Sequence, residues 1–89
     1  MTTKPPPSVI PASDKSLEKI AYAAVENIPA ADGHERDRLG YNVWRWLAFR
    51  KDPLDLAVRS SGSRLGISEE EAIRRIRENL RKHGVENID

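Results

Sequence analysis

The most informative segment of the chain is residues 32–51, with the sequence DGHERDRLGYNVWRWLAFRK. Asp32 is a good N-cap residue, and Glu35 follows three positions later, in the spacing of a capping box. Pro53 follows the segment closely, and the residue before a proline is pushed away from helical backbone angles. We therefore predict one long helix that begins after Asp32 and ends at about Lys51.

This helix is apolar on two sides. At a rotation of about 100° per residue, one stripe is expected in the core and consists of Leu39, Val43, Trp46 and Leu47. The second stripe consists of Tyr41, Trp44 and Ala48. The two tryptophans are two positions apart and point about 200° apart, so they cannot share a face. A helix that is apolar on two sides is either central in a bundle or meets a partner, and both interpretations of the second stripe stay open.

Shorter amphipathic segments flank the long helix on both sides. Ser13 or Asp14 can cap the first of them, which Pro29 is expected to end. Asp52 is expected to cap the other, with Pro53 as its first residue. The residues expected to face the core are Leu17, Ile20, Ala21, Ala24, Val25 and Ile28 in the first segment, and Leu54, Ala57 and Val58 in the second.

The last helix has the clearest start and end. Ser68 and Glu71 have the spacing of a capping box, and Gly84 is placed as the glycine that terminates a helix. The helix is therefore predicted to span about Glu69 to His83. Its single apolar stripe consists of Ala72, Ile73, Ile76 and Leu80. Together these segments predict an all-α fold, a small bundle of about four helices of which one is short.

The composition limits the class of protein. The 89 residues suffice for one domain, and the absence of cysteine excludes disulfides and thiolate sites. We predict a disordered proline-rich leader over residues 1–12 and a single helical domain over residues 13–89. The longest apolar run, Ala21–Val25, is far shorter than the roughly 20 residues that span a bilayer. A cytoplasmic protein without membrane contact is expected.

The residues of the chain do not combine into a catalytic site. His34 and His83 are the only histidines, and neither has the i, i+4 histidine partner of a zinc-binding helix. Gly62 and Gly66 are not followed by the Lys-Ser or Lys-Thr of a phosphate-binding loop. We therefore expect no enzyme activity, no cofactor, no metal and no small-molecule substrate.

Residues 64–77, with the sequence RLGISEEEAIRRIR, resemble the turn and recognition helix of helix-turn-helix regulators, and Gly84-Val85 resembles the exit toward a wing. The resemblance thus covers residues 64–85 and implies a DNA-binding regulator that uses residues 64–82. It implies packing roles for Leu65, Ile67, Ala72 and Ile76. It implies contacts to base edges or phosphates from Arg74, Arg75 and Arg77, and it extends the nucleic-acid-binding set to Arg64, Arg81 and Lys82.

A solvated, salt-bridged helix face explains the same arginines without DNA. The last helix contains three acid-first i, i+4 pairs: Glu70–Arg74, Glu71–Arg75 and Glu78–Lys82. Each such pair stabilises an exposed helix by about 0.2–0.5 kcal/mol. The three glutamates at positions 69–71 would also repel phosphate at the end of the helix that approaches bases.

The expected function is therefore a small non-catalytic interaction module. It would bind a protein partner, or itself as a homodimer, through the surface formed by Tyr41, Trp44 and Ala48. DNA binding through residues 64–82 is the alternative.

Overall fold

Four helices form the domain over residues 15–88, which are the residues that the computed structural model describes. They are α1 (Lys15–Ala24), α2 (Gly33–Phe49), α3 (Leu54–Ser60) and α4 (Glu69–Lys82). Extended pairing within this range is limited to one isolated bridge between Ala30 and Leu65. The predicted all-α fold is confirmed. The predicted leader, residues 1–12, and the proposed caps at positions 13 and 14 lie outside the described residues.

Helix α2 lies between α1 and α3, and α4 contacts the same two helices from the other side of the core. All four members of the predicted core stripe of α2 are buried, as are all four members of the α4 stripe. Ala21, Ala24, Val25 and Ile28 complete the core from the α1 side, and Leu54 and Val58 from α3. Ile88, which follows α4, is also buried in this cluster. No helix within residues 15–88 is long and apolar enough to cross a membrane.

The first helix ends earlier than predicted, at Ala24 rather than next to Pro29. Val25–Ile28 continue as tight turns, in which the Ile28 N–H binds the Val25 carbonyl oxygen at 3.0 Å. The amide Nδ2–H of Asn79, on α4, donates to the Ala24 carbonyl oxygen at 2.8 Å. A side chain from a distant helix thus satisfies a carbonyl group that the end of α1 leaves unpaired.

The second helix begins as predicted and ends slightly early. Asp32 is its N-cap, and its carboxylate accepts the Glu35 N–H at 3.0 Å. The Glu35 side chain does not complete a capping box. It is buried and accepts the N–H of Arg64 at 2.8 Å instead. At the other end, Arg50 adopts a left-handed conformation with φ 50°, which stops the helix before Lys51.

The prediction that Asp52 caps the third helix, with Pro53 as its first residue, is wrong. Pro53 is itself the N-cap, with φ −62° and ψ 151°, and α3 begins at Leu54 without a side-chain cap. Instead, the Asp52 carbonyl oxygen accepts the indole Nε1–H of Trp46 at 2.7 Å. The connection between α2 and α3 is therefore held by a tertiary hydrogen bond.

The predicted ends of the fourth helix are confirmed. The Ser68 hydroxyl accepts the Glu71 N–H at 3.1 Å. At the C-terminus Gly84 has φ 85°, a conformation that glycine adopts at no steric cost. The Gly84 N–H binds the Arg81 carbonyl oxygen and the Val85 N–H binds the Leu80 carbonyl oxygen, which is the hydrogen-bond pattern of a Schellman motif.

Candidate functional site

The second apolar stripe of α2 reaches the surface of the domain. Tyr41 is 49% exposed, whereas Trp44 and Ala48 are partly buried. Trp44 packs against the edge of the core. The rings of Tyr41 and Trp44 are 5.6 Å apart between centroids and tilted by 38°, a favourable arrangement for an aromatic pair. The structure thus brings the three predicted interface residues together, with Tyr41 the most accessible of them.

Tyr22 on α1 extends this aromatic surface. Its ring lies over Gly40, where an added Cβ would be 2.6 Å from two ring carbons. Burial raises the pKa of Tyr22, as do the negative charges of Asp37 and Glu18 and the proximity of Tyr41. Tyr22 was not among the predicted interface residues, although a glycine in the middle of a helix signals that another element approaches closely.

A groove lies beside this surface, on the flank of α2 that faces α3. The groove has a volume of about 220 Å³ and is lined by Asn42, Arg45, Trp46, Phe49, Lys51, Asp52, Ala57 and Ser60. Phe49 is 56% exposed, and Leu56, one turn before Ser60 on α3, is 47% exposed. Pockets for small organic ligands usually measure about 300–1,000 Å³. The α2–α3 groove is therefore better matched to one side chain of a macromolecule.

Four residues of α2 form a single stripe along this flank: Arg38, Asn42, Arg45 and Phe49. Their spacing of three to four residues places them on one face of the helix, and none of them is acidic. The Arg45 guanidinium lies 5.9 Å from the centroid of the Tyr41 ring, within cation–π range. Neither Arg38 nor Arg45 forms an ion pair with any residue between positions 15 and 88.

Three arginines of α4, Arg74, Arg75 and Arg77, are paired with carboxylates. Arg74 contacts Glu71 at 2.6 Å and Glu78 at 3.3 Å, and Arg75 contacts Glu71 at 2.9 Å. Arg77 binds Asp55 of α3 at 2.9 Å. Hydrogen bonds from Arg74 and then Arg75 lower the pKa of Glu71 to about 2.

These pairs differ in part from those predicted. The Glu71–Arg75 pair is confirmed. The predicted Glu70–Arg74 pair is wrong, because Arg74 bonds with Glu71 and Glu78, while Glu70 lies 3.6 Å from Arg59 of α3. Glu71 lies three residues before Arg74 and Glu78 four residues after it, so both are neighbours of Arg74 on one face of the helix. The predicted Glu78–Lys82 pair does not form among the described residues, and Glu78 contacts Arg74 instead.

The region that resembles a helix-turn-helix has an unusually long connection. Residues 61–68 separate α3 from α4, whereas such motifs join their helices by roughly three or four residues. Leu65 and Ile67 pack against the core, as the resemblance implies for them. The side chains of Arg64, Arg81 and Lys82 are exposed, and the Arg64 backbone N–H is bound to Glu35.

Both histidines are exposed and lie in different helices. His34 is in the first turn of α2, and His83 is the C-cap residue of α4. Within residues 15–88, no group of three or more histidine, aspartate or glutamate side chains could hold a metal ion.

Comparison with protein-family models finds no match, and comparisons with curated proteins and with solved structures find no significantly similar chain.

Proposed function

We propose that this chain is a small, non-catalytic interaction module that binds a protein partner, or a second copy of itself, through the outward surface of α2. The observation that carries the proposal is the half-exposure of Tyr41 and Phe49 on a helix whose opposite side forms the core. Aromatic residues and arginine are the side chains most enriched in interface hot spots. Both types occur together on this surface, where Arg45 lies against Tyr41.

The surface is also held rigidly, which favours binding. Helix α2 is fixed by α1 on one side and by α3 on the other. Its C-terminal end is tied down by Arg50, whose guanidinium stacks 4.3 Å from the Trp46 ring centroid and donates to the carbonyl oxygens of Glu86 and Asn87, each at 2.9 Å. Side chains presented from a rigid helix lose less conformational entropy on association than side chains on a loop.

DNA binding through α4 has weaker support. Arg74, Arg75 and Arg77 would each have to exchange a carboxylate partner for a phosphate or a base. We accordingly expect no mobility shift of duplex DNA at low salt with micromolar protein. A shift that disappears when these three arginines are replaced together would favour the DNA-binding alternative.

Site-specific photo-crosslinking tests the proposed function. A benzophenone amino acid replaces Tyr41 in one version of the full chain and the exposed Lys82 of α4 in a matched control. Both proteins are irradiated in purified form and in a cell extract of the organism whose genome encodes the chain. We expect discrete protein adducts from position 41 only, identified by mass as another protein or as a second copy. Equal labelling from both positions, or none from position 41, would contradict the proposal.

A further inference from the structure

We infer that the partner presents an acidic peptide segment with one apolar anchor side chain. The anchor enters the α2–α3 groove, and carboxylates of the same segment bind Arg38 and Arg45. This inference rests on the proposed function and goes beyond it by assigning the chemistry of the partner.

The groove favours an apolar side chain because the uncharged polar side chains that line it already donate hydrogen bonds within the domain. The Asn42 Nδ2–H donates across the groove to the Ala57 carbonyl oxygen at 3.0 Å. The Trp46 Nε1–H donates to the Asp52 carbonyl oxygen at 2.7 Å, and the Ser60 hydroxyl donates to the Leu56 carbonyl oxygen at 2.7 Å. A polar occupant would exchange its hydration for few new hydrogen bonds, which costs free energy. An aliphatic or aromatic occupant would pack against the rings of Trp46 and Phe49.

The cationic side chains around the groove favour a negatively charged partner. Arg38 and Arg45 project from the same stripe of α2 and are without an ion pair to the described part of the chain. Lys51 adds a third cation to the groove lining, against the single carboxylate of Asp52. By contrast, Arg74, Arg75 and Arg77 of α4 are neutralised by carboxylates of the chain itself. Three cations without an ion pair to the described residues, Arg38, Arg45 and Lys51, therefore lie along the groove or one turn beyond it, and complementary charge on a partner would steer binding.

A peptide fits this arrangement better than a single nucleic acid strand. A strand would need a track of cations along several successive phosphates. Here Arg38 and Arg45, which form no ion pair with the described residues, are bordered by Asp37 toward α1 and by Asp52 in the groove. The whole chain has a net charge of only +1. Two or three carboxylates on a short segment match the available cations without meeting these acids.

The test selects peptides from a displayed library of random 16-residue sequences, using the full chain as the target. We expect the enriched peptides to combine a large apolar residue with aspartate or glutamate within about one helical turn of it. Binding of a labelled enriched peptide, measured by fluorescence polarisation, should weaken roughly tenfold or more in an Arg38→Glu/Arg45→Glu double variant, because reversed charges repel the carboxylates. It should also weaken in Phe49→Ala. The control Lys82→Glu, on α4, should bind as the wild type does, and circular dichroism verifies that each variant is folded.

Other outcomes overturn the inference in distinguishable ways. The enriched peptides could lack acidic residues and still bind the Tyr41→Ala or Phe49→Ala variant of the domain more weakly than the wild type. That result would refute the acidic chemistry assigned to the partner but would support the interaction module. Tight binding of labelled oligo(dT) that the Arg38→Glu/Arg45→Glu variant abolishes would assign the surface to nucleic acid. An absence of any peptide or oligonucleotide whose binding responds to these α2 substitutions would refute both the inference and, together with a negative crosslinking result, the proposed function.

Discussion

Replacing Trp44 with alanine separates what this ring contributes to folding from what it contributes to binding. Trp44 is partly buried and lies 5.6 Å from the Tyr41 ring. Trp46, two positions later, is only 6% exposed and donates its Nε1–H to the Asp52 carbonyl oxygen. The two tryptophans therefore offer matched substitutions in one helix that differ in burial.

The expected losses of unfolding free energy follow from these surroundings. Truncating a buried aromatic side chain costs about 3–5 kcal/mol. Trp46→Ala should lie at the upper end of this range, because it also leaves the Asp52 carbonyl oxygen without its donor. Trp44→Ala should cost about 2 kcal/mol, since only part of the ring is buried and the pair with Tyr41 adds about 0.5–1.5 kcal/mol. A domain of this size is stable by about 4–13 kcal/mol, so Trp44→Ala should remain mostly folded at 25 °C.

Urea titrations followed by circular dichroism at 222 nm give both free energies without relying on tryptophan fluorescence. We expect the Trp46→Ala midpoint to lie well below that of Trp44→Ala, with similar slopes for both. The folded Trp44→Ala protein should also lose crosslinking from position 41. Equal destabilisation by the two substitutions would refute the difference in packing. An unchanged midpoint together with unchanged crosslinking would leave Trp44 without a role in either process.

Three further predictions concern single residues. Ile76→Asp should abolish the helical circular dichroism signal at 25 °C, because it places a charge in the core where Ile76 is fully buried; an unchanged melting temperature would mean that α4 does not pack on the core. Arg74 helps to lower the pKa of Glu71 from 4.5 to about 2, so the contribution of Glu71 to stability is complete above pH 4.5 and is lost as pH falls toward 2. Acid titration of Glu71→Gln should lack this component, and an identical acid transition in the variant would contradict the assignment. Glu35→Ala should lower the free energy of unfolding by about 1.5–3 kcal/mol, because it removes the acceptor of the Arg64 N–H. Glu35→Gln keeps an acceptor oxygen and should lower the stability less, as measured in thermal melts. Equal losses of stability in the two variants would indicate that the bond does not form.

The sequence predicted those features of the fold that depend on local chemistry. The cap at Asp32, the cap at Ser68 and the glycine at position 84 act within one turn of helix, and all three occur where they were expected. The boundaries that were wrong depend on residues distant in sequence. Asn79 supplies a donor to the end of α1, and the indole N–H of Trp46 binds the Asp52 carbonyl oxygen just before α3, where Pro53 rather than Asp52 is the N-cap. Spacing along the chain contains no information about such partners.

The candidate site was predictable to a similar extent. The helical periodicity of α2 placed Tyr41 and Trp44 away from the core stripe, and the structure leaves Tyr41 half-exposed. The groove was not predictable, because the exposure of Phe49 depends on where α3 crosses α2. Glu35 had the spacing of a capping residue, but its carboxylate bonds to a loop that comes much later in the sequence.

That bond belongs to a junction between two loops, the one before α2 and the one before α4. The Ala31 N–H binds the Arg64 carbonyl oxygen and the Gly66 N–H binds the Pro29 carbonyl oxygen, each at 2.9 Å. Neither loop can open without breaking backbone hydrogen bonds of the other, so the two should open together as one cooperative unit. In native-state hydrogen exchange the amides of Ala31, Arg64 and Gly66 should therefore exchange slowly and with a common opening free energy, although all three lie outside the helices.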